Sequence, residues 1–141
     1  MASLSAVIDS NVYVYRAIED SEHHERSREL LNALSRWITP TLVVHEVAWI
    51  LSELLGRQAT LLYIKALLTH SKVEIIPVAK QDVSWALEKL ESENLSLARY
   101  NDKVILALAK RMRIPLLSFD RKLLSQASRA GIAIINPYSS P

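Results

Sequence analysis

In the stretch Ser5-Ala-Val-Ile-Asp9, the three residues between the serine and the aspartate are apolar. The stretch predicts a short buried strand that ends in an acid. Similar apolar runs predict strands at residues 73–78, 114–118 and 131–135, with a brief extended piece at 38–40. These runs lack the in-out alternation of a half-exposed sheet. They are typical of strands whose two faces are both covered by helices.

Helical patterns separate the predicted strands, at residues 11–18, 26–37, 41–56, 57–70, 80–93, 102–112 and 121–129. Thr41 can cap the third of these helices and Gly56 can end it, so that the helix at 57–70 forms a hairpin with it. Strands that alternate with helices favour an α/β fold, here a three-layer α/β/α sandwich with a mostly parallel central sheet. With no repeat, low-complexity segment or linker, residues 1–141 are predicted to form a single domain.

The composition is that of a globular protein, since 50% of the 141 residues are hydrophobic and 23% are charged. A net charge of only +2 provides no global basic field, so nucleic-acid binding would depend on local patches. The absence of cysteine excludes disulfides, thiolate zinc sites and cysteine nucleophiles. No signal-peptide pattern and no apolar run near the ~20 residues of a membrane span are found, so we expect a cytoplasmic protein that contacts no membrane.

Three acids are predicted to lie beyond the carboxyl ends of strands, where open α/β sheets bind their ligands. Asp9 ends the first strand, Asp120 follows the strand at 114–118, and Asp102 opens the helix before that strand. Each of the three has a simpler explanation, because aspartate is favoured at helix N-termini as a cap.

A fourth acid, Glu46, lies inside an apolar helix. Its neighbours three and four positions away are all apolar, and a carboxylate among such residues needs a partner or a metal ion. An ion pair, or a helix end that reaches solvent, would also explain it. Four acids converging on one sheet edge would repel one another, and Mg²⁺ or Mn²⁺ would relieve that repulsion. Such ions can activate water for phosphodiester cleavage.

Other chemistries fail on simple grounds. The only glycines are Gly56 and Gly131, which excludes a GxGxxG motif and a P-loop. The sequence that starts at His45-Glu46 lacks the second histidine of a zinc HExxH motif, and no GxSxG motif occurs. The pair His23-His24 stands in a polar stretch and is interpreted as plain surface.

Four ordered segments resemble the PIN domain, and among its members the small prokaryotic VapC-type toxins of VapBC toxin–antitoxin pairs. The resemblance covers essentially the whole chain, and the ordered set with its spacing is more specific than any one motif. The segments are Val7-Ile-Asp9-Ser-Asn11, Pro40-Thr-Leu-Val-Val-His-Glu46, Tyr100-Asn-Asp102-Lys-Val-Ile-Leu-Ala-Leu-Ala-Lys110 and Pro115-Leu-Leu-Ser-Phe-Asp120-Arg-Lys-Leu123.

The resemblance implies a metal-dependent endoribonuclease that cleaves RNA with Mg²⁺ or Mn²⁺. The catalytic and metal-binding acids would be Asp9, Glu46, Asp102 and Asp120, with Asp9 as the central ligand. Asn11 and Ser118 match the polar positions that support the first and last acids. Two departures stand out: Lys103 replaces the small residue that many relatives carry after the third acid, and Arg121-Lys-Leu-Leu124 lacks the aromatic residue often found there.

Several basic and aromatic residues are candidates for contact with a substrate. Lys103, Arg121 and Lys122 could touch phosphate, as could Arg16 and Arg57, although a solvated charged face is the simpler interpretation of each. Tyr13 and Tyr15 could stack on a base or pack in the core or an interface. The apolar helices at 41–70 match the family's groove for an antitoxin peptide, so the resemblance implies an antitoxin partner and a homodimer. Internal burial would explain their apolar surface equally well.

Two other functions are weighed against the nuclease. The first is a non-catalytic RNA-binding or protein-interaction module on a PIN fold, which would have no need to keep all four acids. The second is a phosphorylated receiver-like domain, whose acceptor aspartate follows the middle strand. No acid occurs between the strand at 73–78 and Asp82, which ranks the receiver last.

Overall fold

A computed structural model describes residues 4–139 of the chain. Its five strands are all parallel and lie in the order β3-β2-β1-β4-β5. The strands are β1 (Ser5–Ile8), β2 (Arg36–Pro40), β3 (Val73–Ile76), β4 (Leu116–Leu117) and β5 (Ile134–Ile135). The helices are α1 (Ser10–Ala17), α2 (His24–Ala33), α3 (Thr41–Thr69), α4 (Lys80–Ser92), α5 (Tyr100–Met112) and α6 (Arg121–Arg129), with a short 3₁₀ turn at Leu97–Arg99.

The strand order places the helices in two layers. From β1 the chain moves outward to β2 and β3, then returns across β1 to β4 and β5. Right-handed crossovers therefore put α1, α2 and α3 on one face and α4, α5 and α6 on the other. Contacts between α1, α2 and α3, and between α4 and α5, agree with this arrangement. The predicted three-layer α/β/α sandwich with a parallel sheet is confirmed.

The central elements are the most buried. All side chains of β1 after Ser5 are buried, and so is every residue of α5 from Lys103 to Ala109. The helix α4 packs on α5, and Ile105, Leu106 and Leu108 of α5 belong to the same core cluster as the buried side chains of β1. Within residues 4–139, no helix is long and apolar enough to cross a membrane.

The prediction of a helix at 26–37 is wrong at its C-terminal end. The helix α2 stops at Ala33 because Leu34 has an extended backbone (φ −84°, ψ 146°), and Trp37 belongs to β2. The buried indole of Trp37 donates a hydrogen bond to the carbonyl of Leu31 at 2.8 Å. Pairing with β1 and β3 therefore overrides a helical pattern that continued through Leu34.

Gly56 divides α3 into two arms, as the sequence predicted. Its backbone angles (φ 81°, ψ 177°) lie in a region that is essentially restricted to glycine. A Cβ atom at this position would meet no other atom within 4 Å, so backbone conformation and not crowding explains the glycine. The arms are residues 41–55 and 57–69, and they meet at a kink centred on this glycine.

Candidate metal and active site

Asp9 lies at the carboxyl end of the central strand β1, between β2 and β4. It is only 5% exposed and forms the N-cap of α1. Its Oδ1 accepts a hydrogen bond from the backbone nitrogen of Ser10 at 2.8 Å. Its Oδ2 accepts from Ser118 Oγ at 2.7 Å and from Asn11 Nδ2 at 3.2 Å. A buried carboxylate is thus held by three donors.

Asn11 and Ser118 join the ends of β1 and β4, where the direction of the strand order reverses. Asn11 Nδ2 donates to Ser118 Oγ at 3.2 Å, and Asn11 Oδ1 accepts from the backbone nitrogen of Phe119 at 3.0 Å. Ser118 Oγ also accepts from the backbone nitrogen of Asp120 at 3.0 Å. Ligand sites of open α/β sheets form at this kind of reversal, which places Asp9 where a functional group is expected.

Asp120 caps α6. Its Oδ1 accepts from the backbone nitrogens of Lys122 at 2.9 Å and Leu123 at 3.2 Å. Asp9 and Asp120 therefore do cap helices, as the simpler explanation predicts. A carboxylate has about four acceptor positions, so capping leaves room for a further ligand. Asp102 differs from both, because it lies in the first turn of α5 and Arg99 occupies the cap position.

Glu46 lies in the second turn of α3, close to the start of α5. Its Oε2 accepts a hydrogen bond from Asn101 Nδ2 at 3.4 Å. Its Oε1 is buried and has no hydrogen-bond partner among the residues that the structure describes. Burial raises the pKa of Glu46, the side chains of Asn101 and Ser10 lower it, and the nearby charge of Asp102 raises it further. An oxygen in this situation would gain a partner from a bound cation.

The four acids influence one another's charge. The pKa of Asp9 is raised to about 7. Burial is the main cause, hydrogen bonds from Ser118 and Ser10 oppose it, and the charges of Glu46 and Asp102 add to it. Burial also raises the pKa of Asp102, with a further contribution from Asp120 and opposing ones from Arg99 and Lys103. The charges of Glu46 and Asp102 thus act on Asp9, and that of Asp120 acts on Asp102, so the acids are near enough for their ionised forms to repel one another.

This donor set fits a hard divalent cation. It consists of carboxylate oxygens on buried or half-buried residues, and it includes the unpartnered Glu46 Oε1. No group of three or more acidic or histidine side chains within residues 4–139 is arranged as a ready-made coordination shell. The fit of these acids to a divalent cation thus rests on the chemistry of the donors and on their charge. Mg²⁺ sites commonly complete their coordination shells with water.

The predicted phosphate contacts have different environments. Lys103 is 2% exposed, and its Nζ forms an ion pair with Glu93 Oε1 at 2.9 Å. Arg121 is exposed, and its guanidinium lies over the ring of Tyr138 at 3.7 Å, while Lys122 is exposed beside Asp120. Phosphate contact by Lys103, Arg121 and Lys122 stays a prediction, and for Lys103 it would require a change in the pair with Glu93.

The other candidate contacts are largely occupied by protein. Arg16 donates from Nη1 to Tyr63 Oη at 3.0 Å, and Arg57 is exposed on α3. Tyr13 is fully buried and shares a hydrogen bond of 2.6 Å with Thr39, so it is a core residue. Tyr15 packs its ring edge against Phe119, with 5.1 Å between the ring centroids.

Two features of the site were missed by sequence reasoning. Asn101 donates a hydrogen bond to Glu46. The only sequence signal for this role is the position of Asn101 just before the predicted helix at 102–112. His23, interpreted as plain surface, stacks on Phe119 with 4.6 Å between centroids, next to Asp120. The polar surroundings of His23 in sequence concealed this contact, since Phe119 lies far away along the chain.

A parallel α/β/α domain with acids gathered where its strand order reverses defines the class of protein. The family model of the PIN domain matches residues 6–129, and the chain belongs to the PIN-domain family. No curated protein matches the chain in sequence.

Three solved structures illustrate the similarity of fold. VapC20 of Mycobacterium tuberculosis, described as a Sarcin-Ricin loop cleaving toxin, is 18% identical with a TM-score of 0.77, covering 96% of this chain and 100% of its own. VapBC2 of Rickettsia felis, bound to a DNA fragment from its promoter, is 18% identical with a TM-score of 0.70, covering 94% and 98%. A toxin–antitoxin complex from Klebsiella pneumoniae is 20% identical with a TM-score of 0.66, covering 96% and 99%.

Replacement of Ser118 by alanine tests the hydrogen-bond network at Asp9. The variant Ser118→Ala leaves the buried Asp9 Oδ2 without its shortest hydrogen bond, and we expect a loss of about 1–3 kcal/mol in the free energy of unfolding at neutral pH. Urea denaturation measures this quantity. Ser125→Ala is the matched control, because Ser125 is exposed on α6, and we expect a change within about 0.5 kcal/mol. Equal stability of the two variants would contradict the role assigned to Ser118.

The raised pKa of Asp9 predicts a dependence of stability on pH. The folded chain binds more protons than the unfolded chain between pH 3.8 and about 7, so the contribution of Asp9 is complete below that window and is lost as pH rises through it. A shift of this size corresponds to a cost on the order of 4 kcal/mol for ionising Asp9 in the folded chain. We expect Asp9→Asn to lose this part of the pH dependence.

Urea denaturation from pH 4.5 to 7.5 in EDTA gives the free energy of unfolding of the original chain and of Asp9→Asn. The difference between the two at each pH measures the effect. Asp20→Asn, at an exposed position, should keep the full pH dependence. Parallel pH curves for the original chain and Asp9→Asn would show that Asp9 ionises normally in the folded protein.

Proposed function

We propose that this protein is a metal-dependent endoribonuclease that hydrolyses RNA phosphodiester bonds, formed by a single PIN domain over residues 1–141. The observation that carries the proposal is the position of Asp9, a buried carboxyl at the reversal of strand order whose pKa is raised further by Glu46 and Asp102. Such an arrangement costs stability, and carboxyl groups with strongly raised pKa values are concentrated at functional sites. Membership of the PIN-domain family supports the same activity.

The four acids would have distinct roles in this reaction. Mg²⁺ or Mn²⁺, when bound, supplies a water of lowered pKa and stabilises charge on the phosphate oxygens. Asp9 is the central ligand, held in place by Ser10, Asn11 and Ser118.

Glu46, Asp102 and Asp120 complete the acidic shell and orient the attacking water. Glu46 offers its unpartnered Oε1, while Asn101 holds the other oxygen and so limits rotation of the carboxylate. The backbone donors at the start of α6 direct one oxygen of Asp120, which leaves its other oxygen for the site. Catalysis then comes from positioning and charge, with no covalent intermediate on the protein.

The alternative is a PIN-fold module that binds RNA or protein without catalysis. The incomplete grouping of the acids within residues 4–139 is the observation in its favour. The presence of all four acids at one edge favours the enzyme, because a binding module gains nothing from carboxylates that repel RNA phosphates.

We further propose that the protein is the toxin of a toxin–antitoxin pair, acts in the cytoplasm and forms a homodimer. Similarity of fold to toxin–antitoxin complexes supports an antitoxin partner. The helix α3 carries apolar side chains on its surface that are candidates for both contacts. They are Trp49, which is 70% exposed, and Leu54, Leu62 and Leu68.

Cleavage of RNA tests the enzymatic proposal. We expect the purified protein, free of partner, to cut a mixed RNA pool when Mg²⁺ or Mn²⁺ is present and to stop when EDTA is added. Asp9→Asn and Asp102→Asn should each reduce the cleavage rate by a factor of at least about 100, because each removes a charged ligand or orienting group.

Glu88→Gln is the matched control, since Glu88 is an exposed acid on α4 outside the site, and it should cleave at the original rate. Circular dichroism of each variant establishes that it is folded. A folded original chain that cuts no RNA with either metal would favour the binding module over the enzyme.

The homodimer is tested by light scattering coupled to size exclusion. We expect the mass of two chains at high protein concentration, and Leu54→Arg with Leu62→Arg should reduce it to that of one chain by placing charge on the apolar face of α3. Lys65→Glu, an exposed charge change on the same helix, controls for general effects of charge. A monomer at every concentration would rule the dimer out.

A further inference from the structure

A cavity of about 230 Å³ lies between α4, α5 and α6, on the α4 side of α5. It is separate from the acidic edge, although Lys103, which follows Asp102, contributes to its wall. The polar and aromatic residues that line it are Trp85, Lys89, Glu93, Lys103, Gln126 and Arg129. Typical small-molecule pockets measure about 300–1,000 Å³, so this cavity suits a small ligand that stays partly exposed.

The charges of the cavity favour an anion. Three cationic side chains, Lys89, Lys103 and Arg129, face one carboxylate, that of Glu93. Lys103 is almost fully buried, and its ion pair with Glu93 uses only one of the three N–H donors of its ammonium. Within the described part of the chain, Lys89 and Arg129 take part in none of the ion pairs. Cations brought together without matching acids are stabilised by a phosphate.

Two further features restrict the class of anion. The Oε1 atom of Gln126 is buried and lacks a hydrogen-bond partner among residues 4–139, so a ligand with an N–H donor would satisfy it once the side chain turns toward the cavity. The indole of Trp85 provides an aromatic wall, with the Lys89 ammonium 5.4 Å from its ring centroid. A nucleobase supplies both a flat ring for the indole and N–H groups for an acceptor.

We propose that this cavity binds one nucleoside monophosphate unit. The phosphate lies among Lys89, Lys103 and Arg129, and the base contacts Trp85 and donates a hydrogen bond to Gln126 Oε1. The unit is either a free nucleotide or one nucleotide of an RNA strand, which share this chemistry. Only the RNA source rests on the proposed nuclease function, because binding of a free nucleotide requires no cleavage.

Calorimetric titration with 5′-AMP in EDTA tests binding directly. We expect one AMP per chain, with a Kd at least about tenfold lower than that of ribose 5-phosphate or of adenosine, each of which lacks one half of the contacts. Arg129→Gln and Lys89→Gln should each raise the Kd about tenfold or more, and Gln126→Leu should also raise it. Lys65→Gln, which removes a positive charge from α3, should leave the Kd unchanged.

Cleavage kinetics distinguish the two sources. For an RNA subsite, Arg129→Gln and Lys89→Gln raise the KM for a long single-stranded RNA severalfold at constant kcat, and AMP competes with that RNA. For a free nucleotide, the two substitutions leave the KM for RNA unchanged, and AMP does not compete with RNA.

The absence of saturable AMP binding, or binding that Arg129→Gln, Lys89→Gln and Gln126→Leu all retain, would overturn the proposal. Titration in EDTA needs no RNA cleavage. A protein that binds AMP and cuts no RNA would therefore contradict the proposed nuclease and support the nucleotide site. A protein that cuts RNA and binds no AMP would support the nuclease and overturn the nucleotide site.

Discussion

The burial of the Asp9 carboxyl at the end of the central strand is the constraint on which the remaining structure depends. Removing a carboxylate from water costs several kcal/mol unless donors replace the lost hydration. Here the backbone of Ser10 and the side chains of Asn11 and Ser118 supply those donors. Because Ser118 follows β4, its hydrogen bond to Asp9 requires β1 and β4 to be neighbours. This pairing sets the point where the strand order reverses, and the acids lie at that point.

Helix capping and ligand binding are two uses of the same carboxylates in this fold. The Oδ1 atoms of Asp9 and Asp120 satisfy backbone nitrogens at the starts of α1 and α6, and this fixes the orientation of the groups without using all their acceptor positions. A side chain already ordered by its cap loses little further entropy when a ligand binds. The stability gained by capping therefore offsets part of the repulsion among acids that the proposed reaction needs.

Most of the fold could be predicted from sequence, because apolar runs and helical periodicity mark nearly every element between Ser5 and Ile135 within a few residues. The end of α2 could not, since pairing in the sheet decides the position of Trp37 and leaves no local signal. For the site, chain order predicts that the acids share an edge. The partner of Glu46, Asn101, depends on how α3 approaches α5, and the partner of Lys103, Glu93, depends on how α4 packs on α5. Periodicity encodes neither.

The hydrogen bond between Ser118 and Asp9 joins residues 109 positions apart in the chain. The central strand is made before β4, so its acid gains this donor only after the intervening chain has been translated. Until then β1 lacks one of its two neighbours, and Asp120 does not yet exist in the nascent chain. A chain still in synthesis therefore carries Asp9 without Ser118 and Asp120, so the acidic edge is complete only when β4 and the start of α6 have been added.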